Sequence, residues 1–229
     1  MKYTHLLFDI DGTVLDFKAA ERGALKKIFR EFGLGEISDE QIERYSKINW
    51  KYWEYLERNE MTKAEILVGR FTEFFRSEGI DVSIAPAFND IYQLALGDTI
   101  VFHDNAFELL NKLKKDCTIC AVTNGTKEAQ KKKLGNSGLD KLFDYIFISE
   151  DIGIEKPNTG FFDAVFRDAG IKDRKDTIII GDSLTGDIRG GLNYDIDTVW
   201  YNPEHKENST GIEPKYEISD LWEIEKILY

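Results

Sequence analysis

Tyr3-Thr-His-Leu-Leu-Phe-Asp-Ile-Asp-Gly-Thr13 is a short apolar run that meets two aspartates and a glycine. An apolar stretch broken by Asp-Gly suits a buried strand entering a tight turn. Four comparable runs lie far downstream, at 118–122, 145–148, 177–180 and 198–201, each apolar and mostly rich in β-branched or aromatic residues. Between them the pattern predicts helices over 105–115, 127–136, 160–169 and 185–193. Strands alternating with helices imply an α/β fold, a parallel sheet covered on both faces.

Residues 16–97 have a different texture, reading as consecutive helices without a strand run. Ser38-Asp-Glu-Gln41 and Thr62-Lys-Ala-Glu65 match the capping box, and Ile42, Tyr45, Ile48, Tyr52 and Leu56 recur at three and four residues. A helical insertion between the first and second strands follows, with 1–15 and 98–229 forming the core domain and 16–97 the inserted one. The one polar stretch of length that reads as loop is 202–214.

The chain has 229 residues, ample for a buried core, and a formal net charge of −12. A field of that sign repels phosphate backbones and anionic lipid, which disfavours a nucleic-acid polymer as partner. No apolar run approaches a membrane span, and the first 15 residues lack the pattern of a secretion signal, so the expectation is a cytoplasmic protein with no membrane association. Cys117 and Cys120 have C-x-x-C spacing, but the histidines are scattered and 118–122 reads as a buried strand; packing is the better reading than zinc or redox chemistry.

Asp9 and Asp11 fall where the first strand ends, and open parallel sheets bind ligands beyond the carboxyl ends of their strands. Burying an ionised Asp9 beside Asp11 is costly without a compensating cation or donors, so the pair reads as a divalent-cation site or an acid/base pair. Asp-Gly alone would suit a solvated turn; its position at the end of a buried strand is what raises it above one. The second strand ends in Thr123-Asn124-Gly125, with Thr126 placed to cap the next helix, and a hydroxyl, an amide and helix-terminal N–H groups make a neutral cradle for an anion. Lys156-Pro157 follows the third strand, with Pro157 expected to open a helix. The fourth strand ends in Gly181-Asp182-Ser183, with Asp187 shortly after. Four acids and a lysine thus reach one sheet edge, an environment that suits Mg²⁺ and phosphate oxygens. No dinucleotide or Walker glycine fingerprint accompanies them.

In that order, Asp9-Ile-Asp-Gly-Thr13, Thr123-Asn124, Lys156 and Gly181-Asp-Ser-x-x-x-Asp187 resemble the four motifs of the haloacid dehalogenase-like phosphohydrolase superfamily, over essentially the whole chain. The resemblance implies a Rossmann-like parallel-sheet core with an inserted all-helical cap. It implies Asp9 as nucleophile, Asp11 as general acid/base and Lys156 as a catalytic cation. Thr123, Asn124 and Lys156 would bind the substrate phosphate. Mg²⁺ would be held by Asp9, Asp182 and the Asp11 backbone carbonyl, with Asp187 behind the ligands. The dehalogenases of the superfamily lack an acid two residues after the nucleophile, so Asp11 favours phosphoryl chemistry.

Residues 182–191 and 197–203 are further similar to the bacterial pyrimidine 5′-nucleotidase branch, which implies a small phosphate ester as partner, a nucleoside monophosphate. Trp50, Tyr52, Trp53 and Tyr55 of the inserted segment could stack a base or pack its core. A sugar phosphomutase, another small-metabolite phosphatase and a non-catalytic phosphate-binding or scaffold protein are the rival readings, and a monomer and a homodimer are both open.

Overall fold

The computed structural model describes residues 2–229. The chain divides into two units: the part through Asp16 together with Val101–Tyr229, and Phe17–Ile100.

The first unit is built on a sheet of β1 (His5–Phe8), β2 (Thr118–Thr123), β3 (Tyr145–Ile148), β4 (Thr177–Gly181), β5 (Asp197–Tyr201) and β6 (Tyr216–Ile218). All neighbours are parallel, in the order β3-β2-β1-β4-β5-β6. It is the α/β, Rossmann-like sheet expected, with one strand more. β6 is three residues, Tyr-Glu-Ile, too short to show a period and separated from β5 by the polar loop. The chain steps from β1 to β2 and β3 on one side, then returns to place β4 on the other side of β1. That reversal opens a crevice at the carboxyl end of β1, where Phe8 is level with Ala121 of β2 and Ile180 of β4.

The middle strands are buried on both faces, as their continuous apolar runs require. Leu7, Cys120, Val122 and Ile179 pack against Phe161, Phe162 and Val165 of a flanking helix. Cys117 and Cys120 are buried free thiols, pushed up by burial to about 11 and about 12, as packing residues rather than nucleophiles or metal ligands.

The second unit consists of α1 (Phe17–Glu31), α2 (Asp39–Glu57), α3 (Lys63–Glu78) and α4 (Ala85–Ala95). Both capping boxes form: Ser38 accepts from the Gln41 N–H and Thr62 from the Glu65 N–H, and each partner side chain bonds back to the cap backbone. The interior is aromatic, with Tyr45 stacked on Phe71 at 4.8 Å and Phe88 edge-on to Phe75 at 5.0 Å. Apolar spacing described the inner face of α2 incompletely. Ile42, Tyr45 and Leu56 are buried, but Ile48 and Tyr52 are half-buried, and the polar Asn49 takes an inner position.

The remaining helices of the first unit are α5 (Ala106–Leu113), α6 (Lys127–Ser137), α7 (Leu139–Leu142), α8 (Ser149–Ile152), α9 (Thr159–Asp168), α10 (Arg189–Asn193) and α11 (Ile224–Leu228). Two expectations are corrected. Pro157 does not open α9: Asn158 is its cap, accepting from the Gly160 N–H, and Pro157 lies outside the helix. The helix expected over 185–193 is broken, because Leu184–Ile188 is a wide π turn and only Arg189–Asn193 is α-helical.

Candidate active site

Each sheet strand that ends at the crevice delivers one part of the site. Asp9 follows β1, its N–H bonded to the Ile180 carbonyl at 2.9 Å, so its carboxylate starts between β2 and β4. Asp182 follows β4; Thr13 donates to its Oδ1 at 3.0 Å, and the Trp200 indole N–H donates to its backbone carbonyl at 3.0 Å. Asp187 is turned back toward the strand ends by the π turn, where its Oδ2 accepts from the Ser183 N–H at 3.1 Å while the Ser183 hydroxyl accepts from Gly186 N–H. One oxygen each of Asp9, Asp182 and Asp187 lies within 4.8 Å of the other two.

Lys156 holds this acidic group together. Its side chain is buried, and the ammonium donates to Asp9 Oδ1 at 2.8 Å, to Asp187 Oδ1 at 2.6 Å and to the Val122 carbonyl at 2.7 Å. Three acceptors use its three N–H bonds, so the charge is fixed in place. Burial alone would drive the ammonium toward neutrality, but Asp187 and Asp9 outweigh it and hold Lys156 above its ordinary range. Asp9 shows the converse balance. Burial pushes its carboxyl well above the usual range, Lys156 opposes this, and Asp187 and Asp182 add to it. Asp182 is pushed up to about 7 by burial and then by Asp187, with the Thr13 hydrogen bond pulling the other way. Three carboxylates therefore meet here while the Lys156 ammonium bonds Asp9 and Asp187, and burial of the three leaves the group short of positive charge. All its ligand atoms are carboxylate oxygens, which fits a hard divalent cation such as Mg²⁺ and does not fit zinc held by sulfur or imidazole.

Asn124 sits at the site in a role the sequence did not suggest. Its Nδ2 donates to the Lys156 carbonyl and its Oδ1 accepts from the Lys156 N–H, both at 2.9 Å. The amide clasps the Lys156 loop to the end of β2. Thr123 is buried beside it, its hydroxyl accepting from the Gly125 N–H at 3.0 Å. Thr126 holds the cap position of α6, and the Lys127 N–H is bonded by Glu150 at 2.7 Å.

The Asp11 carboxylate is met by α6. Its Oδ1 accepts from Lys133 and its Oδ2 from Gln130, both at 2.5 Å. Neither partner was legible as a site residue. Lys133 ends the run Lys131-Lys132-Lys133, which reads as a solvated charge cluster; the spacing Ala129, Gln130, Lys133, Leu134, a buried helical face, was the available signal. The four aromatics singled out in the second unit are not its core: Trp50 is 45% exposed, and Tyr52, Trp53 and Tyr55 are half-buried.

With this geometry in hand, comparison with known proteins gives a consistent answer. The family model described as haloacid dehalogenase-like hydrolase matches residues 6–201. The chain belongs to this family. It is 38% identical to pyrimidine 5′-nucleotidase PynA of Streptococcus pneumoniae, over 95% of this chain and 92% of that one. It is 30% identical to pyrimidine 5′-nucleotidase YjjG of Escherichia coli, over 100% and 99%. The HAD hydrolase YfnB of Bacillus subtilis is 37% identical over 99% of this chain and 96% of its own length. A crystal structure of YfnB, bound to magnesium and described as revealing interdomain movement, superposes with a TM-score of 0.91, at 36% identity, covering 100% of this chain and 99% of that one. The sequence resemblance to this family and to its pyrimidine nucleotidase branch is thus met, and the chain is a HAD-like hydrolase. Among the described residues no helix is long and apolar enough to cross a membrane.

Proposed function

We propose that this hydrolase is a Mg²⁺-dependent phosphomonoesterase that works through an aspartyl phosphate on Asp9 and acts on pyrimidine nucleoside 5′-monophosphates. The observation that carries the phosphatase reading is the buried Lys156 ammonium bridging Asp9 and Asp187 beside Asp182. It holds a carboxylate nucleophile, a fixed cation for phosphate oxygens and an oxygen-only metal site at one strand end.

Asp9 attacks phosphorus through a carboxylate oxygen; the ester bond to the leaving alcohol breaks, and Asp11 gives that alcohol a proton. Water then attacks the acyl phosphate, its proton passes to Asp11, and phosphate leaves with Asp9 regenerated. Lys156, its three N–H bonds taken by Asp9, Asp187 and the Val122 carbonyl, acts on the phosphoryl oxygens through its fixed charge as they gather their own. Thr123 closes the end of β2 against the phosphate, and Asn124 acts through Lys156 by holding its backbone. Asp9 and Asp182, with the Asp11 carbonyl, would hold Mg²⁺, and Asp187, bonded by Lys156 and Ser183, supports them from behind. When bound, the ion supplies the missing positive charge and lowers the repulsion between Asp9 and an anionic phosphoryl group.

The nucleotide substrate is supported by the two relatives named pyrimidine 5′-nucleotidases, each covering nearly the whole chain. The test is phosphate release from nucleoside monophosphates, hexose phosphates and glycolate phosphate with Mg²⁺, beside the Asp9→Asn variant. Pyrimidine monophosphates should show the highest kcat/KM, and Asp9→Asn should lose more than about 10³-fold on every ester while still folding. A hexose phosphate in first place, with the bisphosphorylated sugar activating turnover, would make the protein a mutase. Asp9→Asn turning over within tenfold of the parent would remove the covalent mechanism.

A further inference from the structure

Lys133 and Gln130 lie one turn apart on α6 and are 1% and 0% exposed, although flanking Lys131 and Lys132 reach solvent to different degrees. Burying a lysine costs several kcal/mol unless its charge is met, and burying a glutamine costs as well unless its amide is satisfied. The two side chains meet the same carboxylate. Lys133 Nζ donates to Asp11 Oδ1 and Gln130 Nε2 to Asp11 Oδ2, each at 2.5 Å. Contact with a single oxygen would leave the carboxylate free to turn about it, whereas contact with both fixes its plane. The remaining lone pairs of both oxygens stay available for a proton.

The contact carries a cost that simpler packing would avoid. Gln130 Oε1 is buried with no hydrogen-bond partner, a loss of about 1–3 kcal/mol that a leucine or methionine would avoid. Space for the amide is left by Gly125 in the turn after β2, since a Cβ there would lie 2.8 Å from Gln130 Cδ. The turn at the end of β2, the α6 face and Asp11 are therefore shaped around one another.

We propose that Lys133 and Gln130 are positioning residues for Asp11: the pair holds its carboxyl group so that the proton carried on an oxygen lone pair they leave free is aimed at the leaving oxygen. This rests on the reading of Asp11 as the acid and base of a phosphatase. Positioning of an acid has a signature that general stabilisation lacks, because good leaving groups depart without a proton and poor ones do not.

The experiment measures kcat/KM, which reports the steps through alcohol release, for a series of aryl phosphates and for glycerol 2-phosphate. Lys133→Met and Gln130→Met are compared with Asp11→Asn and the parent, and the inhibition constant of inorganic phosphate is measured for each. Both methionine variants should lose about 10- to 100-fold on glycerol 2-phosphate and less than about threefold on 2,4-dinitrophenyl phosphate, with phosphate inhibition unchanged. Lys133→Arg should recover part of the loss, since it restores a donor to Oδ1. An equal loss across the series, or none, overturns the proposal and leaves the pair as a tie between α6 and the turn after β1. If Lys133→Met fails to fold, Gln130→Met, which removes no charge, decides alone. Asp11→Asn separates the two levels: if it lacks the leaving-group-selective loss, the acid role itself falls and the proposal with it. If Asp11→Asn shows that loss and the methionine variants do not, only the positioning role falls.

Discussion

Gly12 shows how closely the strand ends approach each other. Its φ is +98°, a conformation side chains rarely adopt, and a Cβ there would lie 2.5 Å from Asp182 Oδ2. Gly181 is confined in the same way, because a Cβ would overlap the Asp187 carboxylate. Gly12→Ala should therefore strain the turn by about 1–3 kcal/mol and displace Asp182 from the acidic group. We expect Tm to fall by about 2–4 °C for each kcal/mol, kcat/KM to fall about 10²-fold, and Mg²⁺ to be needed at higher concentration. Wild-type Mg²⁺ dependence in this variant would show that Asp182 does not hold the ion. At this scale the sequence was most informative where a residue directly follows a buried strand, as Asp9 follows β1 and Asp182 follows β4. It was least informative where a partner comes from a helix face: Lys133 and Gln130 are 122 and 119 residues from Asp11 in sequence, and only the fold reveals the contact.

The elements carry a second, unrelated polar device. In the helical unit Arg70 is 1% exposed, donating to Asn49 Oδ1 at 2.7 Å and to Asn89 Oδ1 at 3.0 Å; Asn49 in turn donates to the buried Glu21 at 2.8 Å. The chain Glu21–Asn49–Arg70–Asn89 joins α1, α2, α3 and α4 through an otherwise aromatic interior. Burial pushes the Glu21 carboxyl up, and the Ser46 and Asn49 hydrogen bonds oppose it. Removing Arg70 would leave Glu21 and Asn49 without the charge and donor they face, so Arg70→Met should cost about 3–5 kcal/mol. Adding Glu21→Gln should restore part of that stability by removing the unmatched charge, which a denaturant titration of the two variants would measure. A midpoint for Arg70→Met equal to the parent's would show the network to be energetically idle. None of this was legible, because apolar periodicity locates a buried helix face without revealing a polar residue placed on it. The capping boxes at Ser38 and Thr62 were legible, since their partners lie three residues away. The same locality explains the broken helix after β4: the π turn exists to return Asp187 to Lys156 and Ser183, a tertiary demand with no local marker.

At the scale of the whole molecule, the acidic site ties stability to pH and, with the metal proposed above, to that ion as well. Asp182 has an ordinary value of 3.8 and is pushed up to about 7 in the folded protein by burial and then by Asp187; Asp9 moves in the same direction. For a carboxyl raised on folding, the folded state binds the proton more tightly than the unfolded chain does. Its stabilising contribution is fully present below about pH 4 and is lost as pH rises through about 7. The metal-free protein should therefore lose part of its stability between about pH 4 and 7, the site acids working against the general tendency of carboxylates to favour folding at neutral pH. Mg²⁺ bound there as proposed would reverse the sign, because it needs the deprotonated ligands and must displace their protons first. Below about pH 7 its affinity should fall by up to tenfold per pH unit for each proton displaced. An ion present at about 100 times its dissociation constant stabilises by about 2.7 kcal/mol. The rise in Tm on adding 5 mM MgCl₂ should therefore be large at pH 8 and small at pH 5.5, and Asp182→Asn should reduce it at pH 8. An equal Mg²⁺-induced rise at both pH values would mean that the ion does not compete with protons on these carboxylates, and the metal would have to be placed elsewhere in the chain.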